Sequence, residues 1–301
     1  MDAIERDFYR TQSRVSDPGS PAAFAGLPAE PRALAEAVRG LLVHREESEH
    51  LFGYALPRER KHTEAETRYA ADILAAVRGL DDAPLDRPRD PARRFAGTCR
   101  DFALLLCSAL RAKGIPARPR VGFATYFTPG FHDDHWVTEF WDTGRGWLLA
   151  DPQLAAPEPA KGYGIDFDPC DVPRDRFLVA GRAWQDCRSG AADPEAYGVG
   201  GIGLQGLWFV QNNVVRDLAA MNGAEVLPWD AWGLADAPPG QPLEALAAGD
   251  VALLDSAAEL SAAGGPFAEI RRLYQEHKAL QVPTAVTSYT TYLGERTVTL
   301  R

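Results

Sequence analysis

Three residues of the 301-residue chain have the types and surroundings that nucleophilic catalysis needs. Cys99 stands in Gly97-Thr98-Cys99-Arg100-Asp101-Phe102, where Thr98 and Asp101 make the T-x-x-D spacing of a helix capping box and an apolar period begins immediately afterwards. A thiol there faces unpaired backbone N–H groups and the positive end of the helix dipole, which favour the thiolate, its reactive form. The same N–H groups can supply one donor to an oxyanion. His135, in His132-Asp133-Asp134-His135-Trp136, offers a base, and Asp151, in Leu149-Ala150-Asp151-Pro152, offers a carboxylate to orient it. Together the three residue types suit attack of a thiolate on a carbonyl, with the imidazole moving the proton.

The elements that must position them are legible in outline. Phe102, Leu106, Ala109, Leu110 and Lys113 mark one helix, stopped by Gly114-Ile115-Pro116. The period then changes: residues 118–127, 135–142 and 147–150 read as three consecutive strands, antiparallel, the last two joined by a turn over 143–146. Pairing Asp142 roughly with Trp147 puts His135 and Asp151 at about the same level across that hairpin. Upstream, Leu34, Val38, Leu41 and Leu42 recur at helical spacing, as do Tyr69, Ile73, Leu74 and Val77 after a Thr63 N-cap with Glu66 three residues on. The breakers Asp17-Pro18-Gly19-Ser20-Pro21 and Gly26-Leu27-Pro28 make residues 1–30 an irregular lead-in. Residues 31–165 form the candidate catalytic core. Residues 166–301 read as a mainly helical region, with Leu207, Val210, Val214, Leu218 and Met221 on one face and a last helix over 267–280.

Composition bounds the partners. The apolar fraction is 46% and the charged fraction 25%, values of a folded globular domain. A net charge of −10 and the lack of a Lys/Arg stripe argue against nucleic acid. The apolar runs are too short to cross a bilayer, and the charged start Met1-Asp2-Ala3-Ile4-Glu5-Arg6-Asp7 lacks the apolar core of a secretory signal, so a cytoplasmic protein is expected. Cys99, Cys107, Cys170 and Cys187 form no C-x-x-C pair and read as reduced thiols. His132 and His135 could ligate a metal, but no further cluster completes a ligand set; no metal or cofactor is expected, and no calcium loop is present. In the amide run Gln211-Asn212-Asn213, inside an apolar helix, Gln211 or Asn212 is expected to satisfy buried backbone at a helix–helix contact, the alternative being amides on a cleft wall that bind substrate.

Gly97-Thr98-Cys99-Arg100-Asp101-Phe102-Ala103, the run from Leu110 to Arg118, His135-Trp136-Val137 and Trp147-Leu148-Leu149-Ala150-Asp151-Pro152 together resemble the core of the transglutaminase-like superfamily, block by block and in its order. The resemblance covers about a fifth of the chain, roughly residues 94–153. It implies an α+β, papain-like fold in which a Cys-bearing helix packs on an antiparallel sheet, with Cys99 as nucleophile, His135 as base and Asp151 as orienter. It further implies an enzyme working through a thioester on an amide or activated acyl group of a peptide or small molecule, by hydrolysis or by amide-forming acyl transfer. Tyr126, Phe127 and Trp136 are candidates to line the acyl or amide pocket, and Arg100 to meet a carboxylate. The rival expectation is a non-catalytic relative that keeps the fold as a binding or scaffold module; the presence of all three triad residues weighs against it.

Overall fold

The computed structural model describes residues 1–290 and 292–301. Its internal contacts divide the chain into two compact units, each built from two stretches: unit 1 from residues 1–119 and 137–173, unit 2 from residues 120–136 and 174–301. The expected boundaries at 30 and 165 do not follow this division, because two strands each give residues to both units.

Unit 1 opens with α1 (Ala3–Arg10), capped by Asp2, whose carboxylate accepts from Glu5 N–H at 2.8 Å. The expectation of a wholly irregular stretch over 1–30 is thereby corrected. Tyr9 anchors the helix, its buried ring edge-on to Trp147 and under the Arg118 guanidinium, and Phe24 and Leu27 enter the core beyond it. Next come α2 (Pro31–Leu41), β1 (Leu42–His44), α3 (Ser48–Phe52), α4 (Arg58–Thr63) and α5 (Ala70–Leu80). Thr63 is the last residue of α4, its hydroxyl donating to Glu59 O, and α5 begins only at Ala70, so the expected Thr63 N-cap is also corrected. β2 (Phe95–Gly97) pairs parallel with β1 and delivers the chain to α6 (Cys99–Ala112).

Helix α6 is buried along nearly its whole length, because apolar residues cover every side of it: Phe102, Leu104, Leu105, Leu106 and Leu110 all join one core with Leu34, Val38, Ile73 and Val77. It ends as expected. Gly114 adopts a left-handed φ of 77°, and Ile115 N–H returns to Leu110 O at 2.9 Å, the closure that glycine makes possible.

β3 (Ala117–Ala124), β4 (His132–Asp142) and β5 (Gly146–Ala150) follow, then α7 (Pro157–Gly162). β4 begins at His132 rather than at the expected His135. Its unit 1 portion pairs antiparallel with β5, Asp142 opposite Gly146 and Trp141 opposite Trp147, one residue away from the expected register. Ala150 is the last paired residue, opposite Thr138, and Asp151 leaves the ladder.

Unit 2 contains β6 (Phe177–Val179), α8 (Ala180–Arg188), β7 (Tyr197–Val199), β8 (Leu204–Gln205), α9 (Leu207–Met221), β9 (Asp230–Ala231), α10 (Ala248–Ala263), α11 (Phe267–Glu276), β10 (Ala285–Thr290) and β11 (Gly294–Thr299). The strands run β6-β3-β4-β7-β8 in one sheet and β11-β10-β9 in a second. Gly122 of β3 lies where a Cβ would come within 2.1 Å of Leu178 O, so only glycine permits the approach of β6. The α9 face read from the sequence holds, with Val210, Val214, Leu218 and Met221 in the unit 2 core beside Trp184, Leu254 and Ile270. α11 stops at Glu276, short of the expected 280, because His277 turns extended. Among the described residues no helix is long and apolar enough to cross a membrane. Helices and sheets mixed in this way make the chain α+β.

Candidate active site

In unit 1, Cys99 is the first residue of α6 and is 8% exposed. Thr98 before it is extended, and Asp101 Oδ2 accepts from Thr98 N–H at 2.8 Å and from its hydroxyl at 3.2 Å, as the T-x-x-D spacing predicts. Gly97 leaves room for this cap, since a Cβ there would lie 3.0 Å from Asp101 Oδ2 and press on it. Asp101 is wholly buried, which pushes its pKa up, while the Arg100 guanidinium and the bonds from Thr98 pull it back. The consequence is a helix start fixed by buried bonds, with the thiol on its first turn and the dipole's positive end beneath it.

Arg100 does not reach outward. It is fully buried, donating to Arg68 O at 2.5 Å, to Thr67 O at 3.4 Å and to Asp101 Oδ1 at 3.0 Å. Its fork ties the segment before α5 to the helix cap, in place of the expected carboxylate contact.

Asp151, also in unit 1, is fully buried directly after β5. Its N–H donates to Pro169 O at 2.7 Å, and its Oδ1 accepts from Gln153 N–H at 3.0 Å, capping a short 3-10 turn over residues 152–154. One carboxylate oxygen therefore has a structural duty, fixing where the side chain stands.

In unit 2, His135 of β4 is 2% exposed and ringed by aromatic edges: Phe127 at 4.9 Å, Tyr126 at 6.0 Å and Phe177 at 6.3 Å between centroids, all T-shaped. The structure thus brings Tyr126 and Phe127 to the imidazole. Phe177 was not legible, because its place depends on β6 pairing with β3, a contact distant in sequence. Trp136, next on the strand, points to the other face by strand alternation and is buried there, its indole N–H without a hydrogen-bond partner. The other members of the His132 to His135 run have separate tasks: His132 stacks on Tyr197 at 4.1 Å, and Asp134 accepts from Asn213 Nδ2 at 2.7 Å. Among the described residues no group of three or more His, Cys, Asp or Glu side chains could hold a metal ion. Gln211 and Asn212 satisfy buried backbone as expected, at Leu234 O and at both polar groups of Ala237.

All four cysteines are buried and none forms a disulfide. Burial, the larger cause, together with nearby acidic groups pushes the Cys170 and Cys187 thiols up to about 12, so neither is primed as a thiolate.

Comparison with known proteins agrees with the residue blocks. Residues 58–152, about a third of the chain, match the core model of the transglutaminase-like superfamily, a span that contains Cys99, His135 and Asp151. No curated protein matches the sequence. Among solved structures, a candidate cysteine protease from Cytophaga hutchinsonii aligns at 19% identity over 52% of this chain and 44% of that one, with a TM-score of 0.34, too low to carry an argument about fold or chemistry. The chain thus spans less than half the length of that structure. Residues 58–152 are similar to the core of the transglutaminase-like superfamily, within a chain of α+β structure.

Proposed function

We propose that this chain is a cysteine-nucleophile enzyme acting through a thioester on an amide or activated acyl group of a peptide or small molecule, with Cys99, His135 and Asp151 as its triad. The observation that carries the reading is the placement of Cys99 as first residue of a buried, capped helix, inside a segment that matches a superfamily of thiol chemistry. The thiolate attacks the carbonyl carbon and the negative charge moves to oxygen, where the Cys99 N–H can stabilise it. Collapse expels the amine or other leaving group, which takes a proton from the His135 imidazolium. Water or an amine then attacks the thioester, His135 takes up its proton, and the thiolate leaves. Asp151 would orient the imidazole and stabilise its charged form. Tyr126 and Phe127, packed at the His135 ring, would line the substrate pocket.

Intact-mass measurement with activated acyl esters and peptide amides tests this reading. The expected result is a single acyl adduct that maps to Cys99, is absent from Cys99→Ala and forms more slowly in His135→Ala. Limited alkylation near pH 6 should likewise label Cys99 before Cys170 and Cys187. An adduct that persists in Cys99→Ala, or faster alkylation of Cys170 or Cys187, overturns the assignment and favours a scaffold.

A further inference from the structure

Unit 1 buries a cation whose donors have no acceptor. Arg39 of α2 is 1% exposed, and none of its three guanidinium nitrogens has a hydrogen-bond partner. The nearest carboxylate is that of Glu47, with Nη2 to Oε2 at 3.7 Å, beyond hydrogen-bond reach. The other Glu47 oxygen is already taken by Gln153 Nε2 and by Tyr163 Oη. The rings of Phe52 and Phe102 lie 5.3 and 5.4 Å from the guanidinium carbon, a partial compensation that leaves the N–H groups unmet.

Arg39 lines a cavity of about 620 Å³. Arg94, itself 5.1 Å from the Phe52 centroid, lines the same cavity. Two cations thus share one cleft, and burial first, with the like charge of Arg39 second, pulls the Arg94 pKa down to about 10. Pro88, Leu154, Ala155 and Pro157 give the cavity an apolar wall, while the carboxylates of Glu36 and Glu158 are exposed to solvent at its rim. A planar guanidinium matches a carboxylate in a two-point grip, and a second cation beside it completes the charge. Rim carboxylates disfavour a doubly charged phosphate more than a singly charged carboxylate.

We propose that this cavity is a binding site for a small carboxylate, gripped by Arg39 and Arg94 with its apolar body against Pro88, Leu154, Ala155 and Pro157. None of these residues belongs to the proposed triad, although the Asp151 carboxylate lies near enough for its charge to act on Arg39, so the site is a second one beside that residue.

Thermal unfolding at constant ionic strength tests it, with acetate and benzoate as probes and benzamide and inorganic phosphate as controls. The expected result is a saturable rise in Tm with benzoate, weaker with acetate and absent with benzamide. Arg94→Gln, at a half-buried position, should raise the half-saturating benzoate concentration about tenfold or more, the loss of one charge-assisted hydrogen bond. Arg39→Met should abolish the response. An equal response to benzamide, no saturable response to either carboxylate, an undiminished response in Arg94→Gln, or tighter binding of phosphate than of benzoate would each overturn the proposal.

Discussion

Arg39 in unit 1 and Arg120 in unit 2 are both 1% exposed, yet their surroundings differ completely. Arg120 Nε and Nη2 grip the two oxygens of Asp217 at 3.0 and 2.8 Å, and Nη2 also donates to Ser261 O at 2.9 Å. Arg39 has no hydrogen bond at all. Removing an ion from water costs several kcal/mol unless charge and donors are both met, so the two positions have opposite meanings. Arg120 is a tie: Asp217 sits on α9, Ser261 on α10, and Val121 N–H adds a bond to the same carboxylate at 2.8 Å. Arg39 is a cation held ready.

The largest effect should come from breaking the satisfied pair. Asp217→Ala leaves Arg120 buried without its carboxylate and orphans Val121 N–H, and we expect it to destabilise the protein by about 3–5 kcal/mol in urea unfolding. A loss under about 1 kcal/mol would mean that the pair is not a structural tie and that the contrast with Arg39 fails.

Arg100 sits between the extremes, since two of its acceptors are backbone carbonyls and the third is Asp101. Asp101→Ala removes one charged partner of Arg100 and the cap on Thr98 together. We expect a loss of about 2–3 kcal/mol, read by the same denaturant titration. Asp101→Asn should lose less, because its amide oxygen can still accept from Thr98.

Asp134 sharpens the comparison through pH. Burial raises its pKa above 3.8, against the Asn213 bond and the positive charge of Arg216 and His135, which favour the anion, while Asp133 adds to the raise. A carboxyl whose folded pKa is raised holds its proton more tightly in the native state. Its stabilising contribution is full below 3.8 and is lost as pH rises through the raised value. Asp134→Asn mimics the neutral form, so unfolding followed upward from pH 4 should show the variant losing less stability than the parent. Parallel curves would mean that Asp134 is ionised in the folded state at ordinary cost.

The local signals explain which parts of this picture sequence could give. The cap at Thr98 and Asp101, the stop at Gly114 and the α9 face depend on residues within a turn or two, and all three appear as read. The start of β4 at His132 depends on pairing with Tyr197 of β7, far along the chain, and was not legible. The β4–β5 register slipped by one because a glycine, Gly146 at φ 85°, takes the paired position assumed for Trp147. Arg100 looked available because it follows the nucleophile, whereas its true acceptors are carbonyls of a segment more than thirty residues earlier. Arg39 gave no signal at all: an arginine in an amphipathic helix is ordinarily solvated, and only the packed structure shows that it is enclosed.

The smallest expected effect is also the most diagnostic, because a buried cation is being removed at little cost. Arg39→Met replaces an enclosed guanidinium with an unbranched apolar chain of similar reach. The charged form of Arg39 is disfavoured chiefly by burial, with Glu47 offsetting part of that penalty from 3.7 Å. Methionine removes the penalty outright, and its sulfur can pack on Phe52 and Phe102 in place of the cation. Glu47 keeps the two donors on its Oε1, from Gln153 and Tyr163, while its buried Oε2 loses the cation 3.7 Å away, a cost that offsets much of this gain. In a chloride buffer without carboxylates we therefore expect Arg39→Met to unfold within about 1 kcal/mol of the parent by urea titration, the relieved guanidinium and the uncompensated Glu47 charge nearly cancelling. A loss of about 3 kcal/mol or more would show Arg39 to be a structural tie like Arg120, with Glu47 as its true partner. A neutral or stabilised variant that no longer responds to benzoate would separate the two arginines cleanly, one kept for the fold and one for a ligand.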